Sequence, residues 1–121
     1  MNVEEKPYVD GFVAAVPEQN KDAYLEIARL AATVYREHGA LKVVETWGDD
    51  IPDGEITSFR RAVNAKEGEV VVFAWIMWPS KEARDKGNEA VMNDPRMDIP
   101  HEPLFDSKRM IYGGFQIVLD E

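Results

Sequence analysis

The sequence predicts an α+β domain in which a four-stranded antiparallel sheet carries two helices on one face. Strand-like and helix-like hydrophobic patterns follow one another in the order β-α-β-β-α-β, which is the ferredoxin-like split arrangement. Residues 70–78 are apolar at every position, which indicates a strand covered on both faces. Two helices can cover only one face of the sheet, so we expect a second copy of the chain to cover the other.

Composition narrows the class of protein. The 121 residues fit a single domain, 1–121, and 45% hydrophobic with 31% charged residues is typical of a globular protein. No stretch approaches the ~20 apolar residues of a membrane span, and we expect no signal peptide at the N-terminus. The sequence contains no cysteine, which excludes disulfides and thiolate metal sites and fits a cytoplasmic location.

The net charge of −9 disfavours negatively charged partners. A protein that binds phosphate groups needs a clustered basic surface, and the 14 basic residues here are scattered among 23 acidic ones. We therefore expect neither nucleic acid nor an anionic membrane as a partner.

The first two elements are well marked. Residues 8–16 form the first predicted strand, which Pro17 ends because it has no N–H for the ladder. A helix with one apolar stripe is predicted from Asn20, its N-cap, to His38. Gly39 follows where a left-handed residue usually ends a helix.

The remaining elements follow from turn residues between apolar segments. They are a strand at 41–48, a tight turn at 49–54, a short extended segment at 57–63, the strand at 70–78, a helix from the Ser80 cap to Asn93, an irregular loop at 97–108 and a last strand at 110–119. The adjacent Gly113 and Gly114 in the last strand indicate a bulge or a close backbone approach.

The strand at 70–78 is the reason to expect a homodimer formed through sheet faces. Its two faces carry two alternating sets, Val71, Phe73, Trp75 and Met77 on one side and Val72, Ala74, Ile76 and Trp78 on the other. Either set, left uncovered, would form a larger apolar patch than monomers usually expose. Packing two such sheets face to face would give a barrel-like dimer.

Several segments together resemble one family. They are residues 8–12, 47–50, 52–54, 71–75, 78–81, 94–97 and 108–115. In this order they are similar to the YbaA-like family, small bacterial proteins of unknown function in the dimeric α+β barrel superfamily. The resemblance implies the fold and the dimer but no activity. The wider superfamily includes cofactor-independent monooxygenases, lactone isomerases, heme-handling enzymes and ligand-sensing domains, which share a cleft between the sheet and the helices.

Two carboxylates stand on strands otherwise suited to burial. Asp10 and Glu45 each need a partner or a raised pKa if half-buried. The available cationic partners are Arg60, Arg84, Arg96 and Arg109. A structural ion pair is the simpler interpretation, and an acid–base role is the alternative.

Four further residues are candidates for lining a ligand cleft. Trp47 and Trp75 could hold a flat ligand, although core or interface packing explains tryptophans equally well. Arg96 has no capping role and could bind an anion or reach a partner subunit. Tyr112 precedes the two glycines, where a ligand could approach the backbone. The full candidate set is Asp10, Glu45, Trp47, Trp75, Arg96 and Tyr112.

The histidines and the acidic turn do not indicate a metal or a cofactor. His38 suits the negative end of a helix, and His101 lies in a proline-bounded loop far from it in sequence. The acidic turn at 49–53 lacks EF-hand spacing, so a turn is the better interpretation.

Three functions therefore stay open. The first is a small-molecule cleft between sheet and helices, using Glu45, Trp47, Trp75 and an arginine. The second is a non-catalytic structural or protein-interaction module. The third, an RNA-associated protein, is disfavoured by the acidity. No nucleophile–base pair, phosphate loop or metal spacing is visible, so no reaction is assigned and enzymatic activity is left open.

Overall fold

A computed structural model describes residues 6–98 and 104–121. Seven helices and strands make up the described fold. They are β1 (Tyr8–Pro17), α1 (Lys21–Glu37), β2 (Lys42–Trp47), α2 (Phe59–Ala62), β3 (Glu69–Trp78), α3 (Lys81–Met92) and β4 (Ile111–Gln116). Short 3-10 turns lie at Glu18–Asn20, Pro95–Met97 and Ser107–Arg109. No helix among the described residues is long and apolar enough to cross a membrane.

The four strands form one sheet in the order β2-β3-β1-β4. Every neighbouring pair is antiparallel. This is the predicted split arrangement, with the first and third strands in the centre and the second and fourth at the edges. The predicted ferredoxin-like α+β fold is confirmed.

The register assigns each strand residue to one of two faces. The first face, which we call the helix face, carries Tyr8, Asp10, Phe12, Ala14 and Val16 of β1 opposite Trp78, Ile76, Ala74, Val72 and Val70 of β3. Tyr24 and Tyr35 of α1 pack against this face, the latter edge-on to the ring of Trp78. The remaining parity, which includes Phe73, Trp75 and Met77, forms the second face, called the open face below.

Local sequence explains how the two long helices begin and end. Gly39, with φ of 110°, donates to Arg36, and Ala40 donates back to Tyr35, which is the Schellman closure of α1. Ser80 caps α3 by accepting from Ala83. The expected cap at Asn20 differs, because its side chain donates to the carbonyl of Leu104 instead.

Part of the open face is covered by the chain's own β2–β3 connection. Val63 is fully buried against Ala15 and Val71 on that face. The expectation of an extended segment at 57–63 is wrong, because Ser58 caps the short helix α2 by accepting from the N–H of Arg61. No neighbouring strand in the described sheet pairs with this segment.

The last strand is shorter than predicted and has no bulge. Its pairing with β1 is unbroken and ends at Gln116, after which the N–H of Ile117 donates to the carbonyl of Pro7. Pro7 has no N–H to return, so the ladder stops there. Gly114 instead provides space, since a Cβ there would collide with the hydroxyl of Tyr8.

A two-pronged ion pair fixes the start of β3. Arg109 donates to both carboxylate oxygens of Glu69, at 2.8 and 2.7 Å, and to the carbonyl of Asn64. These hydrogen bonds from Arg109 lower the pKa of Glu69 from 4.5 to about 2. The pair therefore joins β3 to the turn that precedes β4.

Replacing Glu69 should lower stability in a pH-dependent manner. Because the folded-state pKa lies below the unfolded value, the pair stabilises the fold above pH 4.5, and this stability is lost as the pH falls toward about 2. Glu69→Gln should cost about 1.5–3 kcal/mol at pH 7 and progressively less in acid. Urea denaturation at several pH values measures both quantities.

The matched control is Glu82→Gln, which removes the exposed pair with Lys86 on α3. We expect it to change the free energy of unfolding by less than about 0.5 kcal/mol at any pH. Equal effects of the two substitutions on the free energy of unfolding at pH 7 would show that the Glu69–Arg109 pair stabilises the fold no more than an exposed pair does.

Candidate functional site

Glu45 lies at the centre of the candidate site. It stands on the helix face of the edge strand β2, opposite Ala74 of β3, and is half-buried beneath α1. The hydroxyl of Tyr24 donates to its Oε1 atom at 2.8 Å. Partly buried apolar side chains pack around the core cluster to which Tyr24 belongs; they are Phe12, Leu25, Ala28, Trp47 and Phe105.

This environment changes the acid–base character of Glu45. Burial raises the pKa of the Glu45 carboxyl, and the hydrogen bond from Tyr24 opposes that rise only in part. Burial and the nearby Glu45 charge raise the pKa of Tyr24, so its phenol keeps its proton. A carboxyl group that holds its proton more readily than usual can donate as well as accept a hydrogen bond.

The residues nearest to Glu45 in this site, Tyr24 of α1 and Trp47 of β2, make further contacts of their own. The ammonium of Lys21 lies 5.2 Å from the ring centroid of Trp47. Phe105 meets the ring of Tyr24 edge-on, with centroids 5.8 Å apart. Aromatic rings therefore lie both above Glu45 and beside it along β2.

Asp10 forms a separate polar cluster on the same face. Its carboxylate accepts from Arg84 at 2.8 and 3.0 Å and from the indole N–H of Trp78 at 3.0 Å. Asn88 makes a longer contact of 3.4 Å, and the Arg84 guanidinium stacks 5.2 Å from the ring centroid of Tyr8. The arginine partner expected for a half-buried carboxylate is thus present for Asp10, and its oxygens are occupied.

The other candidates lie apart from Glu45. Trp75 is on the open face, where its ring centroid lies 5.4 Å from that of Phe73, so the sheet separates it from Glu45 and Trp47. Arg96 is in the 3-10 turn Pro95–Met97 that follows α3, held by Asp94 at 2.8 Å and by Glu37 at 3.0 Å. Its cation is already matched by carboxylates.

Tyr112 and the histidines occupy other positions. Tyr112 lies on the helix face of the opposite edge strand β4 and is 79% exposed. His38 bonds Asp94 at 2.9 Å, joining the end of α1 to the end of α3. His101 lies outside the described residues. The six candidates are therefore not one site, and Glu45 with Trp47 is the pair that the fold keeps together.

Sequence reasoning missed Tyr24, the hydrogen-bond partner of Glu45, and Phe105, which packs against Tyr24. Tyr24 lies within the helix predicted from Asn20 to His38 but was not singled out, and neither was Phe105. A phenol on the buried stripe of a helix that crosses a strand with an inward carboxylate was the available signal for Tyr24. Phe105 is 81 residues away along the chain from Tyr24, so no local pattern could pair them.

The surface away from Glu45 offers a groove on α3. A shallow groove of about 420 Å³ runs along α3 and is lined by Arg84, Asp85, Asn88, Glu89, Met92 and Asn93. In residues 6–98 and 104–121, no three His, Asp or Glu side chains come together as a metal site. The expectation that no metal or cofactor is bound stays a prediction.

Glu45→Gln should leave the fold intact and change its response to pH. The raised pKa means that Glu45 supports the fold while protonated, and this support is lost as the pH rises through its folded-state pKa. Glutamine keeps an acceptor for Tyr24 without a charge, so it should cost less than about 1 kcal/mol near pH 5 and match or exceed the wild type at pH 8. Denaturant unfolding at both pH values measures the difference.

Glu26→Gln on the exposed side of α1 is the control and should show no such crossover. A Glu45→Gln variant that is strongly destabilised at pH 8 but not at pH 5 would mean that the ionised carboxylate is required.

Comparison with solved structures supports the fold. A dimeric ferredoxin-like protein from an uncultured marine organism matches with a TM-score of 0.61 at 12% identity, over 97% of this chain and 100% of that chain. A mutant of SnoaB, a cofactor-independent oxygenase from Streptomyces nogalater, matches with a TM-score of 0.56 at 16% identity, over 95% and 96%. At these identities the likeness shows the fold alone.

Sequence comparison identifies the family. The chain is 57% identical over 115 residues to the Escherichia coli protein named Uncharacterized protein YbaA, covering 94% of this chain and 98% of that protein. The Shigella flexneri protein of that name matches to the same extent. Residues 7–107 match the family model described as Protein of unknown function (DUF1428). The resemblance inferred from the sequence segments is confirmed, and the chain belongs to the DUF1428 family.

Proposed function

We propose that the protein is a homodimer whose subunits pack through their open sheet faces. The observation that carries this proposal is the apolar surface of that face, where Phe73 is 44% and Phe115 59% exposed beside Trp75 and Ile111. α1 and α3 pack on the opposite face. Two such sheets can pack about 10 Å apart, which would remove this surface from water.

The structural comparison supports the same assembly. The marine protein with the same fold is described as dimeric. In this chain, Val63 covers Ala15 and Val71 on the open face, and Phe59 of α2 contacts Phe73, which stays 44% exposed. The part left for a partner is therefore the aromatic surface around Phe73 and Trp75.

Trp75→Asp should convert the dimer into a monomer. A carboxylate in the middle of an apolar sheet interface would lose its hydration without gaining a partner. Sedimentation velocity at micromolar concentration should show the monomer mass for this variant and the dimer mass for the wild type. Met92→Asp, which changes an exposed residue of α3, should remain dimeric. A monomeric wild type would refute the dimer.

We further propose that each subunit binds a small molecule beside Glu45. The supporting observation is the half-buried carboxyl, whose described hydrogen bond comes from Tyr24, a residue against whose core cluster Trp47 and Phe105 pack. A flat, uncharged molecule with a hydroxyl or carbonyl oxygen fits such a site, because protonated Glu45 could donate to it and Trp47 could stack on it.

No reaction is proposed for this cleft. SnoaB is described as a cofactor-independent oxygenase, and the shared fold alone does not transfer that chemistry. The cleft residues include a proton donor and acceptor in Glu45 but no paired nucleophile and base. Binding is therefore the proposed role, and it does not depend on any catalytic step.

Native mass spectrometry of gently purified protein tests the cleft. We expect a dimer carrying an additional small component that is released under denaturing conditions. Trp47→Ala should remain dimeric but lose the component, whereas Leu30→Ala on the outer side of α1 should keep it. A component retained by Trp47→Ala would place the ligand elsewhere.

The second candidate is a non-catalytic interaction module. It is favoured by Asp10, whose carboxylate is fully engaged by Arg84 and Trp78. In the described parts of the chain, no buried side-chain nitrogen or oxygen lacks a hydrogen-bond partner. A clean dimer without any bound component would favour this alternative.

We also propose a domain organisation, a location and a low rank for RNA association. Residues 1–121 are proposed as one domain, because one sheet holds the described elements together. A cytoplasmic location is proposed from the cysteine-free composition. RNA association remains the least favoured role at a net charge of −9.

A further inference from the structure

The segment after β4 extends beyond the chain's own sheet with apolar side chains exposed. Val118 is 90% and Leu119 73% exposed, and Ile117 makes the last described backbone bond to β1. On the far side of the sheet, β2 has a partner strand on one edge only. The chain thus presents a free strand edge and, separately, an apolar segment beyond β4 that could pair with such an edge.

The register shows which residue of β4 is aligned across the sheet with each residue of β2. Tyr112 of β4 is opposite Phe12 of β1, which is opposite Ala74 of β3, which is opposite Glu45 of β2. In a two-fold barrel formed by two such sheets, β4 of one subunit comes beside β2 of the other. Which residue of β4 lies beside Glu45 of the other subunit depends on the geometry of the barrel.

Barrel geometry sets the size of this offset. Barrel strands tilt by about 35–45°, so crossing four strands at about 4.8 Å spacing shifts the register by about 13–19 Å, or about four to six residues. An untilted barrel would place Tyr112 of the partner subunit beside Glu45. Because of the tilt, the residue that lies beside Glu45 is four to six positions along the partner subunit's β4 from Tyr112.

Chirality sets the direction of the offset. Viewed from the helix face with β1 running upward, the right-handed β1–α1–β2 crossover places β2 on the right and β4 on the left. Strands of a barrel lean to the right as they rise, so the hydrogen-bonding direction descends toward the right. β4 runs downward, antiparallel to β1, and the contact therefore shifts toward its C-terminal end.

We propose that the C-terminal segment of each subunit pairs with the outer edge of β2 in its partner and places Val118 of the partner subunit beside Glu45 and Trp47. This inference rests on the proposed homodimer. An offset of six residues from Tyr112 reaches position 118. Of positions 116, 118 and 120, which share a parity with Tyr112 and so continue the helix face, only Val118 is apolar.

The consequence is that the Glu45 site is incomplete within one subunit. The partner's Val118 would cover Glu45 from the edge of the sheet, where β2 now faces solvent. On the opposite parity, Ile117 and Leu119 would extend the apolar interior of the barrel. The pairing would also satisfy the outward N–H and C=O groups of β2.

Engineered disulfides test this register directly, because the chain has no cysteine of its own. Glu45→Cys combined with Val118→Cys should form a cross-linked dimer under mild oxidation, seen on a non-reducing gel. Within one chain the two edges are separated by three strand spacings, about 14 Å, beyond the ~7 Å limit for a disulfide. Any cross-link therefore joins two subunits.

Two controls keep the result interpretable. Glu45→Cys with Tyr112→Cys lies six residues out of register and should form at least tenfold less cross-linked dimer than Glu45→Cys with Val118→Cys. Glu45→Cys alone should not cross-link. A second in-register pair, Lys42→Cys with Glu121→Cys, uses exposed positions and serves if the Glu45 variant folds poorly.

The outcomes separate this inference from the dimer itself. A wild-type monomer in sedimentation would overturn both. A wild-type dimer whose in-register pairs fail to cross-link, or that cross-links through Tyr112→Cys, would overturn only the placement of the C-terminal segment.

Discussion

The packing of Trp78 is the constraint on which the helix layer depends. This fully buried residue ends β3 and contacts three elements at once. Its ring meets Tyr35 of α1 edge-on, with centroids 6.1 Å apart, and lies so close to Gly87 of α3 that a Cβ there would collide with it. Its indole N–H also donates to Asp10 on β1. One side chain thus sets the position of both long helices over the sheet.

The bond to Asp10 extends this constraint to the polar groups of the helix face. Asp10 needs cationic and N–H partners because it is half-buried, and Arg84 on α3 supplies them. The charge is therefore part of the way α3 is attached to the sheet. Glu45, under α1, has the neutral phenol of Tyr24 as its described partner, and burial raises its pKa. The two carboxylates on this face thus differ in their partners, since Asp10 is bonded to an arginine and Glu45 to a phenol.

The sequence predicted those features that depend on neighbouring residues. The apolar run at 70–78, the Ser80 cap and Gly39 all act within a few positions, and the structure confirms each. The short helix at 59–62 replaced an expected extended segment at 57–63 because no partner strand lies beside it in the described sheet, which is a property of the whole fold. Alternation along the strand also left open which set of residues the helices cover, so Trp75 was grouped with Glu45 although they lie on opposite faces.

The same distinction explains why the candidate site was predicted only in part. A carboxylate on a buried strand is visible in sequence, and Glu45 and Asp10 were both found. Their different roles depend on which helix crosses above each strand, and Phe105 reaches Tyr24 only after α3 has returned the chain to the sheet. The site also depends on the edge of the sheet, because Glu45 lies on β2, whose outer edge has no partner strand within the described subunit. In a protein of this shape, the residues that complete a site can therefore belong to a second chain, and the register of the sheet is what identifies them.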